Sequence, residues 1–300
     1  MAINLPGPAA PVYLFDDEFD GSAGSPPDPA KWVFDIGGPG AFGNNELETY
    51  TDDTANCYQD GSSNLVIRAL SDSGGYTSAR IKTLGKFTVC GGTWEARIKL
   101  PFAPGTWPAW WCMGANPPAL WPACGEVDIV EAYGWDTRPY LETSVHIPDG
   151  RGGMIDTITG ETRQDQPCDT GWHVYRMAWN THPESFVFSK DGVAYLTTVP
   201  RAGTEWCYSA GNPFYTLLNL AIGGNGGGPV PAGFSSAEML VDYVRVWLRC
   251  AEFSLPLWCS RHLRWPGWVC RPLRLAGGSR ARSFPPRFTW LPRRPRPPRL

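Results

Sequence analysis

The chain has 300 residues, enough for one large domain or two small ones, and 42% of them are hydrophobic. Its net charge of −3 hides a split: residues 249–300 hold 12 arginines and one acidic residue, which leaves 14 basic and 28 acidic residues before them. A body this acidic makes a poor nucleic-acid binder, because phosphate contacts need clustered Lys and Arg, and it is compatible with a neutral partner.

Residues 1–12 read as a flexible lead-in. They carry no basic segment and no long apolar run, so neither a signal peptide nor a membrane-spanning helix is predicted, and the cellular location stays open. After them come short segments with strand chemistry, separated by clusters of Gly, Pro, Asn and Asp. The segments are Asn64–Ala69, Thr93–Leu100, Glu126–Ala132, Trp172–Trp179, Phe186–Ser189 before the Asp191-Gly192 turn, and Met239–Trp247. In TWEARIKL, Trp94, Ala96, Ile98 and Leu100 fall on one face and Glu95, Arg97 and Lys99 on the other, the pattern of a half-buried antiparallel strand. No long amphipathic helix and no internal repeat interrupts the series. Many strands joined by short turns predict two packed antiparallel sheets, an all-β sandwich or jelly roll. The sandwich domain is expected over 13–249.

Nine cysteines lie along the chain, six of them in the body (Cys57, Cys90, Cys112, Cys124, Cys168, Cys207). None has zinc-ligand spacing. The six could pair in an exported protein, whereas Cys90 and Cys112, set in apolar runs, read equally well as buried thiols. Beyond Trp247 the sequence alternates Arg and Pro without period, and residues 250–300 are expected to be poorly ordered. Two readings of that tail stand: a shifted reading frame appended to a complete domain, or a basic arm for an acidic partner.

The chemistry concentrates in WPACGEVDIVEA (Trp121–Ala132). On a strand Glu126 and Asp128 share a face, whereas Glu131, at an odd offset, returns to that face only if a β-bulge takes up one extra residue. Single exposed acids on a strand are ordinarily just solvated. Three in one row repel and are disfavoured in strands, and here aromatics (Trp107, Trp110, Trp111, Trp121, Tyr133, Trp135) crowd both sides, so function explains the row better. Two carboxyls roughly 5–5.5 Å apart are what a retaining glycosidase needs, one to attack the sugar carbon and one to protonate the leaving oxygen. At that distance like-charge repulsion of about 3 kcal/mol, roughly two pKa units, keeps one of them protonated near neutrality. Asp128 between them can orient the nucleophile; spacing alone does not divide the roles. A serine or zinc hydrolase is unsupported, since no GxSxG or HExxH occurs.

GEVDIVEA resembles the bulged ExDxxE signature of glycoside hydrolase family 16. GNNELETYT (Gly43–Thr51), YTSARIKTLGKF (Tyr76–Phe87), WEARIKLPFAPGTWPAWWCMG (Trp94–Gly114), NLAIGGNGGG (Asn219–Gly228) and MLVDYVRVW (Met239–Trp247) extend the likeness from about Phe15 to Trp247. The resemblance implies a jelly-roll sandwich with an open cleft, Glu126 as nucleophile, Asp128 as its helper and Glu131 as acid/base. It places His146 near the acid/base, Trp107 and Trp121 as platforms for sugar rings, and Asn45 and Arg80 at the non-reducing side. Read alone, His146 is as readily a packed strand histidine and Asn45 a turn residue. The resemblance also implies a structural calcium held by Glu18, the Gly61 carbonyl and Asp242, although FDDEFDG is no EF-hand loop and satisfied surface acids are the simpler reading. No cofactor is needed for catalysis. The expected activity is laminarinase-like endo-β-1,3-glucanase hydrolysis by a monomer that binds polysaccharide and no membrane. Other β-glycans, glycan transfer, and a non-catalytic carbohydrate-binding sandwich are the alternatives. The family likeness suggests export. The Cys-Gly-Gly in TVCGGTWEAR and the heavy Trp110-Trp111 pair depart from the family pattern and bear on substrate range.

Overall fold

The computed structural model describes residues 11–115, 121–134, 140–148, 154–161, 170–200, 207–208 and 211–248. The chain divides into two units, Met1–Ser254 and Leu255–Leu300, and every described residue lies in the first. The expectations for residues 1–10, the 250–300 tail and Cys168 fall outside the described residues.

In chain order the strands are β1 (Tyr13–Asp17), β2 (Val33–Phe34), β3 (Glu48–Tyr50), β4 (Cys57–Gln59), β5 (Leu65–Asp72), β6 (Gly75–Ser78), β7 (Arg80–Lys82), β8 (Gly92–Lys99) and β9 (Thr106–Gly114). They continue with β10 (Glu126–Tyr133), β11 (Tyr140–Pro148), β12 (Met154–Glu161), β13 (Trp172–Thr181), β14 (Glu184–Lys190), β15 (Val193–Thr198), β16 (Phe214–Ile222) and β17 (Ser236–Trp247). One helical turn, α1, spans Gly224–Gly227. No described helix is long and apolar enough to cross a membrane.

The strands form two sheets, one ordered β15-β14-β13-β8-β17-β5-β6-β3, with β1 on β17 and β4 on β5, the other β12-β11-β10-β9-β16-β7-β2. Neighbouring strands are antiparallel except β3 and β6. This is the jelly-roll sandwich that the strand pattern predicts, and each apolar segment picked out in the sequence lies in or overlaps a strand. The main core lies between the sheets, where Trp94 and Ile98 of β8 and Phe186 and Phe188 of β14 meet Val127 and Ile129 of β10 and Leu218 and Leu220 of β16. β16 is buried along its whole length because its alternate residues serve two clusters. Leu218 and Leu220 face the core, while Tyr215 and Leu217 join Ala109 and Trp111 in a smaller cluster.

The alternation in TWEARIKL holds for Trp94, Ala96, Ile98 and Leu100, all buried. Glu95, assigned by period to the polar face, is buried as well, because Arg176 Nε donates to its Oε2 at 2.6 Å and Tyr243 Oη to its Oε1 at 3.1 Å. Cys57, Cys112 and Cys124 carry free thiols, and burial pushes each thiol pKa up. For Cys112 this matches the buried-thiol reading.

Candidate active site

β10 enters the site through Gly125, where the backbone has φ +85 and a Cβ would come within 2.7 Å of Cys207 Sγ and Phe214 Cζ. Only glycine suits a left-handed turn packed that closely. Tyr208 then pins the strand: its hydroxyl accepts from Glu126 N–H at 3.1 Å and lies 2.7 Å from the Glu126 carbonyl.

The strand is irregular where the acid spacing requires it. Against β11 the register runs Glu126 to His146 and Asp128 to Ser144, then Glu131 to Glu142, three steps on one strand for two on the other. Against β9 the slip falls between Asp128 and Val130. Ile129 and Val130 consequently both point into the core, at 0% and 1% exposure. Glu126, Asp128, Glu131 and Tyr133 all line one cleft of about 730 Å³, a size that takes sugar rings.

Each carboxyl has its own surroundings. Glu131 is buried, with Trp107 Nε1 donating to Oε1 at 2.9 Å and Tyr133 Oη to Oε2 at 3.0 Å. Burial first, then the Asp128 charge, push its pKa well above the usual carboxyl range, and the two donors oppose them. Asp128, also buried, has Oδ2 2.8 Å from His146 Nε2, and burial with the Glu142 charge raises it to about 8. Glu126 is raised to about 7, by burial first and then by Asp128; His146, the Trp121 N–H and Arg80 pull the other way. Trp121 Nε1 donates to Glu126 Oε2.

Of the residues singled out in the sequence, Glu126, Asp128, Glu131, Arg80, Trp107, Trp121 and His146 line this cleft. Three details differ from expectation. His146 stands opposite Glu126 and bonds Asp128, and the residue opposite the expected acid/base is Glu142, because the bulge advances β10 past its neighbour. Trp107 packs against Gly226, where a Cβ would lie 2.2 Å from the ring, and runs near-parallel to Tyr133 at 5.7 Å. Its indole N–H, more than its face, is thus what it presents to the site. Asn45 adopts φ 58 and donates to Asn225 Oδ1 at 3.1 Å, and its neighbour Asn44 lines the cleft instead. Trp121, 49% exposed at the rim, keeps an open ring. Arg80 is held by Asp35 and lies over the rings of Phe42 (4.5 Å) and Trp111 (4.8 Å).

Sequence reasoning missed Glu46, Glu142, Ser144 and Asn219 as cleft residues. Glu142 Oε1 lies 3.2 Å from Ser144 Oγ and 3.4 Å from Tyr133 Oη. Stepping back by two along β11 from His146 reaches Ser144 and then Glu142, so the period itself carried that signal.

The predicted calcium ligands do not fit a cation cage. Arg245 grips both oxygens of Glu18 at 2.6 Å, and Arg97 holds Asp242 at 2.6 Å, so each carboxylate is already neutralised by a guanidinium. Among the described residues, the group with three ligand atoms within 4.8 Å of one another is Glu126, Asp128 and His146, and there His146 and Asp128 are bonded to each other.

Comparison with known proteins identifies the family. The profile for "Glycosyl hydrolases family 16" matches residues 43–244. The beta-glucanase of Rhodothermus marinus is 34% identical over 249 residues, covering 78% of this chain and 84% of its own. The glucan endo-1,3-beta-glucosidase of Cryptopygus antarcticus is 34% identical over 262 residues, 79% of this chain and 92% of its own. A crystal structure of a LamA variant from Zobellia galactanivorans, in complex with laminaritriose and laminaritetraose, superposes with a TM-score of 0.67 at 33% identity, covering 78% of this chain and 98% of that one. The chain belongs to glycoside hydrolase family 16. It is a glycoside hydrolase of the β-glucanase type.

Proposed function

We propose that the chain is a retaining endo-β-1,3-glucanase that cleaves laminarin-type glucan by double displacement. The observation that carries this reading is the bulge, which sets Glu126 and Glu131 on one face of an open cleft. Glu131, kept protonated by burial and by its neighbours' charge, donates its proton to the glycosidic oxygen. Glu126, the group nearer ionisation at neutral pH, attacks the anomeric carbon as the aglycone leaves. Glu131, now ionised, takes a proton from water, and that water releases the sugar from Glu126. Trp107 and Tyr133 stabilise the ionised Glu131 through their two hydrogen bonds. Asp128 and its partner His146 lie beside Glu126 and orient it. The open ring of Trp121 offers a sugar a stacking face. Two carboxyls and water balance the reaction without a cofactor. The 1,3-linkage follows the activity for which the Cryptopygus relative is named.

Reducing-sugar release from laminarin tests the reading. The wild type is expected to release sugar, and Glu126→Gln to lose release by on the order of 10³-fold while still binding laminaritetraose. Binding without release by the wild type would instead indicate a carbohydrate-binding sandwich.

A further inference from the structure

Glu142 lines the cleft beside the acid/base, and the reaction above leaves it unused. It stands directly opposite Glu131 across the β10–β11 ladder, a place where two like charges work against each other. One hydroxyl lies between them. Tyr133 Oη is 3.0 Å from Glu131 Oε2 and 3.4 Å from Glu142 Oε1, placed as a donor to either. A phenol carries a single proton, so it serves only one of the two carboxylates at a time. Glu142 Oε1 has a second donor, Ser144 Oγ at 3.2 Å. The phenol ring is fixed, near-parallel to Trp107 with centroids 5.7 Å apart, and Trp107 in turn donates to Glu131 Oε1 at 2.9 Å. What is left to turn is the hydroxyl hydrogen.

We propose that Glu142 is a positioning residue for the acid/base. It competes with Glu131 for the Tyr133 hydroxyl, which turns to Glu142 while Glu131 holds its proton and to Glu131 once that proton has gone. The proposal rests on the glucanase reading and deepens it. A neutral carboxyl is a weaker acceptor than an ionised one, so with Glu131 protonated the hydroxyl belongs to Glu142. When Glu131 passes its own proton to the leaving oxygen, it becomes an anion and the nearer acceptor of the two. The hydroxyl then rotates about its C–O bond, and Ser144 keeps Glu142 hydrogen-bonded. No proton leaves Tyr133 at any point, because burial and then the charges of Glu131, Glu142 and Asp128 push the phenol pKa well above its usual value. The competition leaves ionised Glu131 less stable than it would be with the donor to itself, which keeps the acid protonated to higher pH.

The other charged groups around Glu131 are Asp128 and Glu126 on β10. His146 of β11 is bonded to Asp128, and Glu161 of β12 holds the register position opposite Glu142. β9 brings Trp107 and α1 its Gly224–Gly227 turn, neither of which titrates. Arg80 of β7 is held by Asp35.

The test is the alkaline limb of the kcat/KM profile for laminarin in wild type, Glu142→Gln, Tyr133→Phe and the double variant. Glutamine keeps the oxygen that accepts from Ser144 and loses the charge. The hydroxyl then stays with Glu131, and the limb should move about one unit to lower pH. Phenylalanine keeps the ring on Trp107 but takes the donor from ionised Glu131, so the limb should move to higher pH. In the Tyr133→Phe background, Glu142→Gln should shift the limb by less than half as much. A limb that Glu142→Gln leaves in place, or a shift of equal size with and without the hydroxyl, would overturn the proposal. If Glu142→Gln does not fold, Tyr133→Phe decides: a limb that stays or moves to lower pH counts against the hydroxyl's role. A wild type that never hydrolyses laminarin would defeat the glucanase reading instead. Carbon-13 NMR titration of the glutamate carboxyls, with Glu131 identified by Glu131→Gln, then reads the same shift without substrate. A Glu131 midpoint lowered by about one unit in Glu142→Gln supports the competition, and an unchanged midpoint overturns it.

Discussion

Glu126 and Asp128 sit two residues apart on one strand, and each raises the cost of ionising its neighbourhood. Glu126 must be charged to attack, yet burial and Asp128 lift it to about 7. kcat/KM should therefore fall as pH drops through about 7, because protonation there removes the nucleophile. Asp128→Asn takes away the neighbouring charge, so the Glu126 pKa falls and the acid limb moves to lower pH, while the rate at the optimum drops through loss of orientation. A pH–rate profile of the variant checks this; an acid limb left in place would mean that Asp128 is not what burdens Glu126. Much at this scale was legible in advance. Three acids in WPACGEVDIVEA, spaced so that they share a face only across a bulge, pointed to the site before any coordinates. Which of those acids each partner would meet was not legible. Glu142 and His146 meet β10 in a register that depends on which strand lies beside it and on how far the bulge displaces it, and neither is a property of β10 alone. Trp107 likewise reads as a sugar platform until Gly226 is found against its ring.

At the level of the strand, the bulge at Ile129 and Val130 is the element that makes a site out of a sequence pattern. Both side chains enter the core, so truncating one affects packing and deleting one affects chemistry. Ile129→Val removes one methylene and should cost about 0.5–1.5 kcal/mol of stability with activity retained. Deleting Ile129 removes the extra residue, so Glu131 falls at an even offset from Glu126 and keeps the cleft face of a now regular strand. The loss of one buried isoleucine side chain should destabilise the fold, and the altered spacing of the two carboxyls should lower activity sharply. Denaturant unfolding together with laminarin turnover separates the two outcomes. The strands themselves were readable from alternation and turn residues, as TWEARIKL shows. Glu95 escaped that reading because its burial depends on Arg176 and Tyr243, which come from strands distant in sequence.

Across the whole molecule, the cleft concentrates carboxyls whose folded pKa values lie above their unfolded ones. Glu126 (about 7), Glu48 and Asp128 (about 8), and Glu131 all behave this way. Such groups bind protons more tightly in the folded state, so their contribution to stability is complete below the ordinary carboxyl range and is lost as pH rises toward 8. The melting temperature should accordingly be higher at pH 6 than at pH 9, and Glu131→Gln should raise it at pH 9 while removing activity. Calorimetric melting at the two pH values checks both, and an unchanged melting temperature at pH 9 would show that the cleft carries no such strain. The sandwich accepts this cost because its two clusters bury β16 completely, with β9 paired to β16 and β10 to β9.

The central claim is that Glu126 and Glu131 act from one face in two successive displacements, and the anomeric configuration of the first product reports this directly. Proton NMR during laminarin cleavage should show the β-anomer appearing first, with the α-anomer growing in only by mutarotation. An α-anomer as the initial product would mean a single displacement by water, and would contradict the assignment of Glu126 as the attacking group.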